Sequence, residues 1–159
     1  MPGRYLDQFL LGETHTTPSR TITEADVATF AGVTGDYNEI HMSEEYAKKS
    51  LIGKRIAHGL LLLSISHGLL SRLDMIDGTG IGFAEIENWK FKSPVFFNDT
   101  VHVKVTVTEI KNSRTKLDRG ILKLFLQIIN QRDEVVQEGT KVLMMQRLPS
   151  NEKALKEGS

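Results

Sequence analysis

Hydrophobic and polar positions along this chain are organised around one stretch, residues 56–73, IAHGLLLLSISHGLLSRL. Its length matches a membrane span, but two histidines, several serines and glycines, and Arg72 predict a buried helix of a water-soluble protein. A helix that is apolar nearly all the way round has to be wrapped by other structure. It also carries a polar stripe, because Ser64, His67, Gly68 and Ser71 fall within an arc of about 100°. That side is expected to face a cavity or another backbone, or to make a helix–helix contact through small residues.

The wrapping comes from segments with a different period. Val101, Val103, Val105 and Val107 alternate with His102, Lys104, Thr106 and Thr108, as a half-buried strand requires. Residues 121–130 and 135–146 are two more long strands joined by the short turn QRDE, and residues 83–92, with the only tryptophan, Trp89, alternate loosely. Ahead of the apolar run, residues 13–22 read as an irregular strand that Pro18 confines to an edge or bulge. Thr23 then opens a short helix with Glu24 and Asp26 in its first turn, Val27, Phe30 and Ala31 as its apolar face and Gly35 as its stop. Residues 36–41, DYNEIH, are too polar and too short for an element of their own, and residues 43–49 form a second short helix. The order predicts an α+β fold, one antiparallel sheet curled round one helix. So few strands cannot close round a helix, so an edge or face is expected to pair with a second copy as a homodimer.

Composition narrows the function. The chain of 159 residues reads as one domain over residues 1–148, followed by a polar tail at residues 149–159. Twenty basic and twenty acidic residues balance, which argues against nucleic acid and anionic membranes as partners. No cysteine is present, so disulfides, thiolate catalysis and Cys-ligated zinc are excluded. The charged start MPGRYLDQFLLGETH does not fit a signal peptide, and a cytoplasmic protein is expected. The histidines lack a metal-ligand spacing such as H-x-x-x-H, so no metal is expected.

Two places carry candidate chemistry. Asp36, Asn38 and His41 lie within six residues just ahead of the apolar helix, where a loop can bring a carboxylate and an imidazole onto one water. The alternative is that Asp36 caps the next helix or makes an Asx turn, with His41 at the surface. Ala57, His58 and Gly59 mark the helix start, where backbone N–H groups lack intrahelical partners and a glycine lets a ligand oxygen approach. An N–H there can stabilise a developing oxyanion, whereas the His58 side chain reads as packing.

Together these residues resemble a family. GDYNEIH, an HG whose histidine stands seventeen residues after His41, the long apolar helix and FKSPVFFNDTV are similar to the MaoC-like dehydratases, or (R)-specific enoyl-CoA hydratases. That family's pattern runs G-D-x-N-P-[LIV]-H, then H-G, then F-x-x-P-V-x-x-G-D-x-V, and the resemblance covers roughly residues 10–148. It implies a hot dog fold, dimers, and water addition to a trans-2-enoyl thioester giving the (R)-3-hydroxyacyl thioester. It also implies no cofactor beyond the coenzyme A or acyl carrier protein that the substrate brings. Asp36 and His41 match the catalytic pair, Asn38 the loop organiser and Gly59 the glycine whose N–H faces the thioester oxygen. Glu39 departs from the pattern where the family has proline. His67 departs where members have a serine that supports the pair; it is expected to hydrogen-bond Asp36 or to narrow the acyl pocket, or else to be a core histidine satisfied by a backbone carbonyl. Lys48, Lys49, Lys54 and Arg55 cluster where carrier phosphates could bind, or are simply solvated. The rival readings are a hot dog thioesterase and a non-catalytic acyl-thioester-binding subunit.

Overall fold

A computed structural model describes residues 3–149; all but the first residue of the expected tail lies outside them. Thr23 caps the first helix, α1 (Glu24–Thr34), by accepting from the Asp26 N–H while the Asp26 carboxylate accepts from the Thr23 N–H, a reciprocal capping box. Gly35 ends it with φ 78°, a left-handed conformation that costs glycine little. The expected irregular first strand is two short ones, β1 (Thr14–Thr16) and β2 (Arg20–Thr21), separated at Pro18. Residues 36–41 correct the sequence reading. Residues Glu39–Met42 form a one-turn helix, α2, because the Asn38 side chain caps it by accepting from the Ile40 N–H. The next helix, α3 (Glu44–Lys49), starts at Ser43 as expected.

The apolar run is helical over α4 (Gly59–Ser71), shorter than expected at its start because Ala57 donates to Val95 O and Ile56 bridges Phe96 in extended form. Four long antiparallel strands follow: β3 (Gly80–Phe91), β4 (Thr100–Asn112), β5 (Arg119–Asn130) and β6 (Val135–Gln146). They pair in the order β1-β4-β5-β6-β3, with β2 also on β4. This is the expected α+β hot dog arrangement of a sheet curled on a helix. Val101, Val103, Val105 and Val107 point inward as predicted, with Leu122, Leu124, Leu126 and Ile128 beside them, and α4 buries Leu61, Leu62, Ile65, Leu69 and Leu70 against this layer.

The wrapping is incomplete on one side. Leu60, Ser64 and Gly68 of α4 are exposed, so the polar stripe lies on a face that the chain itself leaves open. Beside it stands β3, the last strand of the sheet. Phe83, Ile86 and Phe91 pair with the inward-facing Leu143, Lys141 and Gln137 of β6, yet each is about half exposed. Edge strands with exposed apolar side chains are uncommon in chains that work alone.

Inward positions of β6 break the apolar rule. Gln137, Gly139 and Lys141 succeed one another at the strand period beneath α4. Gly139 is required, since a Cβ there would lie 2.6 Å from the Trp89 ring. Lys141 is 1% exposed, and its ammonium reaches Ser66 Oγ at 2.7 Å and Leu63 O at 3.5 Å. Burial pushes its pKa down to about 7.

This makes stability depend on pH in a defined direction. Below about 7 the folded state holds a buried ammonium at full cost. Between there and the unfolded value of about 10.4 the unfolded chain binds more protons, so folding gains stability as pH rises. Lys141→Met is expected to stabilise the protein by on the order of a few kcal/mol at about pH 6, with the gain shrinking toward about pH 10. Urea unfolding of both proteins across that range checks it; a pH-independent difference would refute the linkage.

Candidate active site

The site is built where α1, α2 and α4 meet. After the left-handed Gly35 the chain turns sharply, and the Asp36 N–H donates to Thr34 Oγ1. Asp36 Oδ1 then accepts from the Asn38 N–H at 3.3 Å, an Asx turn that leaves Oδ2 available. The Asx-turn alternative therefore holds for Asp36, and the turn occupies only one of its carboxylate oxygens. Its side chain is half exposed, at 51%. Glu39 takes the first helical position of α2, with its carboxylate in the first turn. Proline is favoured at that same position, so the departure from the family pattern leaves the turn intact and adds an exposed carboxylate.

His41 and His58 form the centre. His41 Nδ1 bonds to Ile56 O at 2.8 Å, which in the neutral ring makes Nδ1 the donor and leaves Nε2 as an acceptor. The two imidazoles stack with centroids 3.9 Å apart and planes 30° apart, and Phe30 of α1 packs on His58 at 5.0 Å. His58 is 2% exposed, and its Nε2 bonds to the backbone oxygen of Asp36 at 2.9 Å. The expectation of packing thus holds for His58, with a further consequence: it ties the backbone of the Asp36 loop to the start of α4 and stacks on the His41 ring. Its value was hidden in the sequence because stacking joins residues from two separate segments.

One side-chain atom from each of Asp36, His41 and His58 lies within 4.8 Å of the others. Two acceptors that share one water stand about 4.6 Å apart, so the spacing suits a bridging water. Two imidazoles and a carboxylate are also a donor set that a divalent ion accepts, although each ring already uses one nitrogen on a backbone carbonyl.

Gly59 opens α4, and as the first helical residue its N–H has no intrahelical partner. Its missing side chain makes room for something other than a ligand: a Cβ there would lie 2.8 Å from Phe91 Cδ1. Gln137, a residue the sequence reading missed, fixes this end of the helix. Its Nε2 donates to Gly59 O at 3.0 Å while its Oε1 accepts from Trp89 Nε1 at 3.0 Å. The signal was present as a polar residue at an inward position of a strand. A cavity of about 330 Å³ lined by Ile56, Gly59, Phe91, Pro94 and Gln137 opens beside it.

Two expectations need correction. His67 makes no hydrogen bond to Asp36 within the chain; it sits eight residues along α4 from Gly59, its ring against Phe83 at 4.6 Å, with a buried Nδ1 that has no partner. Burial first, then the Lys141 charge, holds its pKa below the ordinary value. The basic cluster is also smaller than expected. Arg55 is clamped between Glu24 at 2.7 Å and Glu44 at 2.9 Å, and Lys48 pairs with Glu45. Lys54 lies over the Phe96 ring, and with Lys49 it is exposed, so these two remain for a carrier phosphate.

Comparison with known proteins bears on the family and the fold. The family model of the MaoC like domain matches residues 8–123. Protein MaoC of Klebsiella aerogenes is 36% identical over 103 residues, which are 65% of this chain and 30% of that one. An (R)-specific enoyl-CoA hydratase of Rhodospirillum rubrum is 38% identical over 90 residues, 57% of this chain and 60% of that one. The chain thus matches less than two thirds of the length of these two relatives. A solved structure of a monoamine oxidase regulatory protein from Archaeoglobus fulgidus superposes with a TM-score of 0.85 at 33% identity, over 94% of this chain and 98% of that one. Among the described residues no helix is long and apolar enough to cross a membrane.

The close approach at the helix start is testable. Gly59→Ala is expected to cost about 1–3 kcal/mol by forcing the new methyl against the Phe91 ring. Adding Phe91→Ala should recover most of that loss. A double-mutant cycle by urea unfolding reads it, and purely additive effects would refute the contact.

Proposed function

The chain belongs to the MaoC-like domain family, and from that premise we propose that it hydrates trans-2-enoyl thioesters, or dehydrates (R)-3-hydroxyacyl thioesters in reverse. Family members are hydratases and dehydratases, which supports hydro-lyase chemistry. The observation that carries the finer reading is the gathering of one side-chain atom each of Asp36, His41 and His58 within 4.8 Å, the last of them next in sequence to the orphan N–H of Gly59.

Water addition needs a base, an acid and a place for negative charge on the thioester oxygen. The Asp36 carboxylate and the Nε2 of neutral His41 both accept from one water, which turns a lone pair of its oxygen toward the substrate. That oxygen bonds to C3 as one O–H breaks to the pair. The C2=C3 electron pair shifts toward the thioester, whose oxygen is held by the Gly59 N–H and the positive end of α4. The same pair returns a proton to C2, so both atoms arrive on one face. Asn38, through the cap, and His58, through Asp36 O, hold the two groups in place. The acyl carrier is coenzyme A or acyl carrier protein, with Lys49 and Lys54 as its phosphate contacts.

Asp36→Asn should lower hydration of crotonyl-CoA, followed by loss of enoyl-thioester absorbance, by about 10²–10⁴-fold while folding is kept. Full activity in that variant would defeat the assignment. Release of free thiol from an acyl-CoA would mark a thioesterase instead, and tight acyl-CoA binding with no turnover of any enoyl group would mark a binding subunit.

We also infer that a second copy covers the open face of α4 and the β3 edge, where Leu60, Phe83, Ile86 and Phe91 stand exposed. Light scattering should return twice the chain mass. Ile86→Glu, which places a charge in that face, should shift the protein toward monomer; a monomeric wild type would exclude the arrangement.

A further inference from the structure

The cavity beside Gly59 has a polar side chain in its floor. Of the residues that line its 330 Å³, Lys92, Ser93 and Pro94 are exposed and form the rim, while Ala57, Leu62, Val95 and Gln137 are buried. Phe91 is the one lining residue it shares with the face given to a second copy. Lys92 is engaged at the surface, its ammonium 3.2 Å from Glu138 Oε1. Gln137 is thus the only polar side chain that is buried among the lining residues.

The two partners of Gln137 decide which way its amide faces. Trp89 Nε1 can only donate and Gly59 O can only accept, so Oε1 is fixed on the indole and Nε2 on the helix, each at 3.0 Å. Nε2 carries two hydrogens, and one acceptor meets it among the described residues. The second N–H is therefore a donor without a partner on a side chain 2% exposed, which is costly unless an acceptor comes to it. A cavity that is apolar apart from one fixed polar group takes its specificity from that group.

The acceptor it suits is not the thioester oxygen. In an α-helix the N–H groups point toward the N-terminus and the C=O groups toward the C-terminus. An oxygen held by the Gly59 N–H and an amide seated on Gly59 O therefore lie on opposite sides of that residue, on the order of 5 Å apart. That offset is the reach of a few acyl carbons. We propose that Gln137 is a specificity residue, whose second N–H donates to an oxygen on the acyl chain just beyond C3. This rests on the hydratase reading of the site at Gly59 and names its substrate class: 2-enoyl thioesters oxygenated on the fourth or fifth carbon. The carbons on either side of that oxygen meet Ile56, Leu62 and Val95.

The test compares 2-hexenoyl-CoA with its 4-hydroxy and 5-hydroxy derivatives, on the wild type and on Gln137→Met, which keeps the side-chain length and removes the amide. The wild type is expected to show a higher kcat/KM on one of the hydroxylated substrates. In the variant both classes fall, because Gly59 loses its anchor, and the hydroxylated-to-plain ratio falls by about 3–10-fold as well. A ratio that the variant leaves unchanged, with or without an equal loss on both classes, overturns the proposal. Calorimetric titration of the wild type with hexanoyl-CoA and its 4-hydroxy and 5-hydroxy derivatives needs no variant and no turnover. Equal affinities overturn the oxygen site whatever the activity. A preference for a hydroxylated chain without turnover of any enoyl-CoA supports the site and overturns the hydratase.

Discussion

The start of α4 is the constraint on which the rest depends. A helix end must leave its first N–H groups without intrahelical partners, and here the end is neither capped by a side chain nor free to move. The Phe91 ring fills the space of a Gly59 side chain, Gln137 holds the Gly59 oxygen, and Ala57 is bonded to Val95 just before. Each contact comes from a different part of the sheet or its preceding loop. The sheet therefore fixes where an orphan N–H points, and the loop that carries Asp36 is registered on that point through His58 and Asp36 O.

The loop between α1 and α2 is a chain of local solutions to the same problem of unsatisfied backbone. Thr34, Asp36 and Asn38 in turn accept from the N–H groups of Asp36, Asn38 and Ile40. These three side chains do what a longer helix or strand would do with backbone alone, and in doing so occupy only one of the two Asp36 carboxylate oxygens. Glu39 fits because it stands at the first position of a helix, where neither proline nor glutamate disturbs the hydrogen bonding.

Most of the fold was legible because it follows period and capping: the alternating valines, the Thr23 cap, the Gly35 stop and the apolar run each turned out as the pattern predicts. The one-turn helix at Glu39–Met42 was missed because it is too short to show periodicity and depends on a single Asn38 cap. Spacing and resemblance singled out Asp36, His41 and Gly59, and the fold brings the first two together with His58. Gln137 and the His41–His58 stack were not legible, since each joins residues that only the tertiary fold brings together. His67 shows the limit from the other side. The stripe placed it correctly on the open side of the helix, but spacing along α4 could not say which end of the site that side serves.

The incomplete wrapping of α4 and the buried lysine are two consequences of one geometry. A sheet that ended in a polar β3 would close the chain as a monomer, and an apolar residue at position 141 would give a cheaper core. Instead the inner face of β3 stays apolar and exposed, and the polar side chains of β6 run beneath α4 from Gln137 to Lys141. Gln137 is satisfied at both ends of its amide, so its burial costs little. Lys141 is not, and burial has already moved its pKa to about 7, so the fold keeps the amine near the point of losing its proton.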